Sequence, residues 1–257
     1  MTVMERSTVI ITGGSRGIGA ATARLAAARG WDVVVSYRQH ADEAGQVVAD
    51  CQAAGGAALA VVADVSSEPD VVRLFATAAE WSGGAGPGSV PGPVRGLVNN
   101  AGTVAPLGRL EDFTADRIGR TVAVNLTGAF LCAREAVRLM STRHGGPGGV
   151  IVNVSSRAAV LGSPGEYVDY AAAKAGVDAL TTGLSKEVAA DGIRVAGVRP
   201  GLIATEIHAP GRLDRLGGSP PLGRPGTAEE VAYAIGWLLS DEASYVTGTT
   251  VDVSGGR

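Results

Sequence analysis

The sequence predicts one doubly wound α/β domain, an open parallel sheet of about seven strands with helices on both faces. Three observations lead there. Short apolar runs alternate with Ala-rich helical stretches along the whole chain. The apolar runs are continuous, as strands covered on both faces are. The chain has 257 residues, 46% apolar and 18% charged, enough for one large core but short for two full domains.

The elements follow in order. Residues 8–11 (TVII) read as the first strand and 18–29 as the first helix. Residues 32–36 (DVVVS) read as a second strand, followed by a helix over 41–54. A third strand at 59–62 (LAVV) precedes a helix at 69–80, and Leu97 and Val98 end a fourth strand. Long helices are expected at about 115–140 and 168–190, with a fifth strand at 150–154 between them. A sixth strand at 195–198, a helix at 228–239 and a last strand at 250–253 complete the pattern. Residues 1–257 therefore read as a single domain. Two stretches break the rhythm. Residues 82–96, dominated by Gly and Pro, read as a flexible surface loop, and residues 202–226, rich in Gly, Pro and Arg, as a lid over a substrate.

Composition excludes several function classes. The net charge is −3 and no Lys/Arg cluster stands out, so neither nucleic acid nor a membrane surface is an expected partner. The start, MTVMERSTVI, lacks an apolar core followed by a cleavage site, and no apolar run approaches the roughly 20 residues of a membrane span. A cytoplasmic protein is expected. Cys51 and Cys132 read as buried thiols in helices. His40, His144 and His208 have no metal-ligand spacing, so no metal is expected.

The first strand runs into Thr12-Gly13-Gly14-Ser15-Arg16-Gly17-Ile18-Gly19 and then a helix. A pyrophosphate needs close backbone approach, free N–H donors and a helix N-terminus aimed at it. Gly13, Gly17 and Gly19 supply the turn, the close approach and the tight helix–strand packing, with Ser15, Arg16 and Ile18 between them.

This TGGSRGIG loop resembles the TGxxxGxG loop of the short-chain dehydrogenase/reductase (SDR) family. Further marks of that family follow in order. They are Asp64-Val65, Asn99-Asn100-Ala101-Gly102, Asn125, Ser155-Ser156, Tyr170-Ala-Ala-Ala-Lys174 and Pro200-Gly201. Each lies at the C-terminal end of an expected strand or on an adjacent helix, where open α/β sheets bind ligands. The likeness runs from about Thr8 to Gly256 and is nearest the glucose/ribitol dehydrogenase and oxoacyl-reductase branch. It implies a Rossmann fold and hydride transfer between a nicotinamide and an alcohol/carbonyl pair. It further implies that Asp64 and Val65 flank the adenine. Asn99, Ala101 and Gly102 would back the ribose and nicotinamide. Pro200 and Gly201 lead to Ile203 and Thr205, which would bind the carboxamide.

NADP(H) is the expected cofactor, with NAD(H) possible. An NAD enzyme usually ends its second strand with an acid for the ribose 2′-OH. Here Tyr37 stands at that place, and Arg38 follows it. Arg16 and Arg38 resemble the 2′-phosphate clamp of NADP-preferring members.

Tyr170 and Lys174 are i and i+4 on one helix, so their side chains share a face. A phenol titrates near 10, and a neighbouring ammonium favours its phenolate. Tyr170 is thus the expected acid/base, with Lys174 beside it also holding the nicotinamide ribose. Ser156 would steady the substrate oxygen. Asn125 resembles the family's helix asparagine that orders a water near the lysine. One departure stands out. The family serine normally lies thirteen positions before the tyrosine, and that position is Arg157 here. A one-residue insertion in residues 158–169 makes Ser156 the match, ahead of Ser155. Tyr167 is a competing phenol, but Ala171 rather than Lys follows it by four.

The expected function is an NADP(H)-dependent carbonyl reductase acting on a small alcohol or carbonyl compound. An NAD-linked sugar or polyol dehydrogenase is the alternative within enzymes, and a non-catalytic dinucleotide-binding regulator the alternative outside them. Ala/Gly-rich stretches such as residues 171–176 permit close helix approach between subunits, so a homo-oligomer, a tetramer or dimer, is expected.

Overall fold

The computed structural model describes residues 6–83, 92–207 and 211–257. The first half alternates β1 (Ser7–Ile11), α1 (Gly17–Ala28), β2 (Trp31–Tyr37), α2 (Ala41–Ala53), β3 (Ala58–Val62) and α3 (Glu68–Gly83). The second half has β4 (Val94–Asn99), α4 (Ala115–Val122), a π-helical turn (Ala123–Thr127), α5 (Gly128–Met140) and β5 (Gly149–Val154). It continues with α6 (Ala158–Leu161), α7 (Val168–Glu187), β6 (Ile193–Pro200), α8 (Arg212–Leu216), α9 (Ala228–Leu239) and β7 (Thr250–Val253).

The strands form one parallel sheet in the order β3-β2-β1-β4-β5-β6-β7. Ile10 of β1 pairs with Val34 on one side and Leu97 on the other. The chain first winds outward from β1 through β2 to β3, then crosses back to β4 and winds the other way. The loops leaving β1 and β4 therefore diverge, and a crevice opens at the C-terminal ends of the strands. Strand periodicity divides the core between two faces. Val9 and Ile11 pack with Ala23 of α1 and Ile235 and Leu238 of α9. Ile10 packs on the opposite face with Leu74 and Phe75 of α3 and Cys132 and Met140 of α5. Cys51 and Cys132 are buried, and burial pushes their thiols up to about 11 and about 12.

The sequence expectations need adjustment in several places. The stretch 82–96 is not all loop: α3 extends through Gly83, and β4 begins at Val94 rather than just before Leu97. Residues 84–91 of that stretch lie outside the described residues. The lid at 202–226 is partly structured, holding the short helix α8 and closed at its root by a bridge between Ile203 and Gly226. His208 lies outside the described residues. The helix expected over 115–140 is interrupted at Asn125, where the Gly128 N–H reaches back five residues to the Ala123 carbonyl. The Asn125 side chain donates to the Thr121 carbonyl at 2.9 Å. A side chain that competes for an intrahelical carbonyl is a recognised cause of such a turn.

Candidate active site

The seam between β1 and β4 is tied by side chains. The Thr12 hydroxyl accepts the N–H groups of Asn100 and Ala101, both at 3.0 Å. The Asn100 amide donates to the carbonyls of Thr12 and Gly13 at 2.9 and 3.0 Å. This bracing leaves no room for side chains in the loop. Gly13 has φ +63°, and a Cβ there would sit 2.9 Å from the Ala101 Cα. A Cβ on Gly19 would sit 2.4 Å from the Gly13 carbonyl oxygen. Neither Thr12 nor Asn100 was singled out from sequence, because their work is to hold the loop rather than touch a ligand.

A cavity of about 630 Å³ runs over the C-terminal ends of the strands on both sides of this seam. A dinucleotide fits the groups on one side. Helix α1 begins at Gly17 with no side-chain cap from Arg16 and no acid in its own first turn. Its first N–H donors and its dipole are thus open to an anion. Thr205 and the Glu206 carboxylate approach from the root of the lid, Glu206 Oε2 lying 4.0 Å from the Cβ position of Gly17. Gly13, Ser15, Arg16, Gly17 and Ile18 line this part of the cavity. Tyr37, Arg38, Asp64 and Val65 line it further out. Arg16 is exposed. The Arg38 guanidinium lies 3.5 Å from Asp64 and is 43% exposed, so it pairs loosely and still faces solvent. Burial alone would raise the Asp64 carboxyl, but the Ser66 hydroxyl and amide and the Arg38 charge bring it below the usual range.

On the other side of the seam, Ser156, Tyr170 and Lys174 line the cavity together with Ala101, Gly102, Pro200, Gly201, Ile203 and Thr205. The Lys174 ammonium is buried, donates to the Val154 carbonyl at 2.7 Å and sits 5.7 Å from the Tyr170 ring centroid. The Ser155 hydroxyl is spent on the Lys174 carbonyl at 3.0 Å. The Ser156 hydroxyl instead lines the cavity and accepts the Ala158 N–H at 3.1 Å. Tyr167 packs edge-on against Tyr170 with ring centroids 5.5 Å apart. Between Ser156 and Tyr170 the chain passes through Gly162, Ser163 and Gly165, all with left-handed φ.

Two predicted residues act from behind the wall. Asn125 is buried and clasps Thr103, accepting its N–H at 3.0 Å and donating to its carbonyl at 2.9 Å. A Cβ on Gly102 would sit 2.9 Å from Asn125 Oδ1 and 3.6 Å from Lys174 Nζ, so these three residues meet. Gly19 packs beneath the glycine loop. Asn99 is a different case. Its amide donates to the Ala129 carbonyl at 2.8 Å and to Asn153 at 3.3 Å, which turns it into the protein and away from the cavity.

The titration of the pair also departs from the sequence reading. Burial pushes Tyr170 up to about 12, the Ser156 hydrogen bond opposes this, and Tyr167 adds to it. Burial pushes Lys174 down to about 8, against the Asp178 carboxylate one turn further along α7. In the protein alone, loss of water is the largest cause of both shifts.

A family model described as enoyl-(acyl carrier protein) reductase matches residues 13–257. An uncharacterized oxidoreductase, YgfF, of Escherichia coli K12 is 52% identical over 96% of this chain and 98% of its own. The chain belongs to the short-chain dehydrogenase/reductase family. A 3-oxoacyl-[acyl-carrier-protein] reductase of Synechocystis is 39% identical over 100% of this chain and 98% of its own. A short-chain dehydrogenase of Burkholderia cenocepacia, solved in complex with NADP, superposes with a TM-score of 0.87 at 33% identity, covering 97% of each chain. As an SDR, this protein is an NAD(P)-linked oxidoreductase acting on CH–OH donors, and its substrates are small molecules. Among the described residues, no helix is long and apolar enough to cross a membrane.

One ion pair joins the scaffold of this SDR site. Arg117 of α4 donates to both oxygens of the buried Asp169, at 3.0 and 3.4 Å, directly before Tyr170. It also holds the Pro106 carbonyl at 2.7 Å and lies 3.3 Å from the centre of the Phe113 ring. The Thr121 hydroxyl donates to Asp169 at 3.2 Å, and the Thr121 carbonyl is the one Asn125 holds. Burial of Asp169 is outweighed by Arg117 and the Tyr170 amide, which keep its carboxyl below the usual range. Arg117→Met would strand that carboxylate. It should cost about 3 kcal/mol, at the low end for a broken buried pair because Thr121 remains. Thermal unfolding should show a fall of about 6–12 °C in Tm. A Tm within about 2 °C of wild type would show that Asp169 does not depend on Arg117.

Proposed function

We propose that this SDR is an NADP(H)-dependent carbonyl reductase, with Tyr170 as proton donor. The observation that carries the reading is one continuous cavity. It has the open N-terminus of α1 and two arginines on one side of the seam and the Ser156–Tyr170–Lys174 cluster on the other. The Burkholderia relative, solved in complex with NADP, and the Synechocystis oxoacyl reductase support the same reading.

Arg16 and Arg38 would hold the 2′-phosphate, and the α1 N-terminus the pyrophosphate. Lys174 would face the nicotinamide ribose, with Asn125 beside it behind the wall. When bound, the nicotinamide supplies the hydride. Ser156 and Tyr170 present two hydroxyls that can grip a carbonyl oxygen. With its pKa near 12, Tyr170 stays a neutral phenol at physiological pH and can give its proton as negative charge develops on that oxygen. Lys174, which carries its charge below a pH of about 8, then stands beside the phenolate left behind.

Tyr170→Phe keeps the ring against Tyr167 and removes the proton. Turnover should fall by at least about a hundredfold, with NADPH affinity in fluorescence titration nearly intact. Near-normal turnover would remove Tyr170 from its role.

Cofactor choice has its own test. Arg38→Asp deletes an attractive charge and sets a second carboxylate beside Asp64, so it acts twice against a 2′-phosphate. Wild type should prefer NADPH in kcat/KM. The variant should move the ratio towards NADH by at least about tenfold. A wild-type preference for NADH would instead favour the NAD-linked polyol dehydrogenase.

Self-association belongs to the same proposal. Ile118 and Phe130 on α4 and α5 and Tyr233 and Trp237 on α9 are large apolar side chains left exposed. A second copy of the chain would cover them, and two such faces build a tetramer. Light scattering at micromolar concentration should give a mass well above the 25.8 kDa chain. A monomer would contradict the proposal.

A further inference from the structure

Helix α7 carries Tyr170, Lys174 and Asp178 at intervals of four residues, so the three side chains share one face. Lys174 and Asp178 are neighbours but not an ion pair. The ammonium donates to the Val154 carbonyl at 2.7 Å. Asp178 Oδ2 accepts from Arg199 Nε at 2.7 Å, and Asp178 Oδ1 is buried with no hydrogen-bond partner among the described residues.

Arg199 continues this pair into a chain. It stands in β6 directly before Pro200, opposite Asp252 of β7 in the sheet register. Its guanidinium lies 3.4 Å from one Asp252 oxygen, and the other accepts from Arg157 at 2.6 Å. Arg157 follows Ser156 directly, and its backbone N–H donates to the Pro200 carbonyl at 2.9 Å. Four charges of alternating sign thus run from the end of β5, through β7 and β6, to α7. The Arg157, Arg199 and Asp178 side chains are 20%, 22% and 15% exposed, against 42% for Asp252. Pairs this sheltered are screened less than surface pairs. A chain of ion pairs at a sheet edge is by itself structural. Its two ends set this one apart, because one lies beside Ser156 and the other one helical turn from Lys174.

Few groups surround Lys174. Tyr170 and Asp178 come from its own helix, the Val154 carbonyl from β5 and Asn125 from the π-helical turn, and the Ser155 hydroxyl holds its backbone. Asp169 is turned to Arg117 of α4. Asp178 is the carboxylate that favours the ammonium against its burial. We infer that Asp178 is a positioning residue for the reaction, the counter-charge of the Lys174 ammonium, and that Arg199, Asp252 and Arg157 set its strength as a chain anchored beside Ser156. The inference rests on the carbonyl-reductase reading above for what Lys174 does, and on the chain itself for the rest.

Alternating signs give alternating effects. Loss of Asp178 lets Lys174 give up its proton at a lower pH. Loss of Arg199 removes a repelling charge and frees the pull of Asp178, so Lys174 keeps its proton to a higher pH. Loss of Asp252 acts as loss of Asp178 does, but from further away. A chain that only packed would not produce this alternation.

Lys174 and Lys186 are the two lysines of the chain, and Lys186 is exposed. NMR of protein labelled with carbon-13 at lysine Cε therefore gives two signals, assigned by Lys186→Arg. In wild type the Lys174 signal should titrate at a pH of about 8. Asp178→Asn should lower that midpoint by at least about half a pH unit, and Asp178→Glu should restore most of it. Asp252→Asn should lower it by less, and Arg199→Gln should raise it. An Asp178→Asn midpoint within about 0.2 units of wild type would overturn the inference. So would midpoints of Asp178→Asn and Arg199→Gln that move the same way. Asp178→Asn is nearly isosteric and decides the matter even if Arg199→Gln does not fold. Under the reductase reading, the alkaline limb of kcat with NADPH should move with these midpoints. If no ketone oxidises NADPH, that reading fails, and the NMR midpoints of the same variants still decide the inference.

Discussion

The hydroxyl of Thr12 accepts two amides from the opposite loop, and Asn100 returns two hydrogen bonds to the glycine loop. Everything else in the site is arranged around this seam. A parallel sheet that winds outward in two directions must separate its loops where the direction changes, and the gap would be wet and loose if left alone. Here four hydrogen bonds close its floor. The glycines are then needed because the floor is closed: Gly13 lies against Ala101, and Gly19 against Gly13 itself. Close bracing and a bare backbone are two sides of one constraint.

The fold was legible because its signal is coarse. Continuous apolar runs separated by Ala-rich stretches survive errors of a few residues at every boundary. Departures came where tertiary contacts rule. The edges of the Gly/Pro stretch belong to α3 and β4 because Val94 pairs alongside Thr8. The π-helical turn could not be read from periodicity, because it follows from the Asn125 amide finding Thr121 and Thr103. Motif spacing picked out the glycine loop, Tyr170 and Lys174, and the fold brings them to one cavity. It also drew in Asn99, which is part of the same sequence run but whose amide serves the sheet interior. A motif names neighbours in sequence, and alternate residues of a strand end point in opposite directions. Ser155 and Ser156 show the same alternation: one hydroxyl turns under α7 and its neighbour lines the cavity.

Electrostatics was the least legible level. Spacing places an ammonium near a phenol, but it does not say how dry the pair is. Burial moves both groups towards neutrality, Lys174 downward and Tyr170 upward. The site is thus a place where charge is expensive and where any group that brings charge alters its neighbours strongly. Arg117 and Asp169 pair beside this region and hold α4 against the start of α7.

The turn at Asn125 also governs how this chain can change length. A π-helical turn is one residue more than an α-helix needs, so removing any single residue between Thr121 and Gly128 would let the helix close regularly. Because the wide turn already takes up that residue, the helix beyond would keep roughly its present phase, whereas a regular helix of the present length would turn it by about 100°. Arg117 and Thr121 face α7 before the turn, while Cys132, Ala136 and Met140 face the sheet after it. No regular helix satisfies both sets at this spacing. The wide turn thus takes up one residue of length without changing which partners the two halves of the helix face.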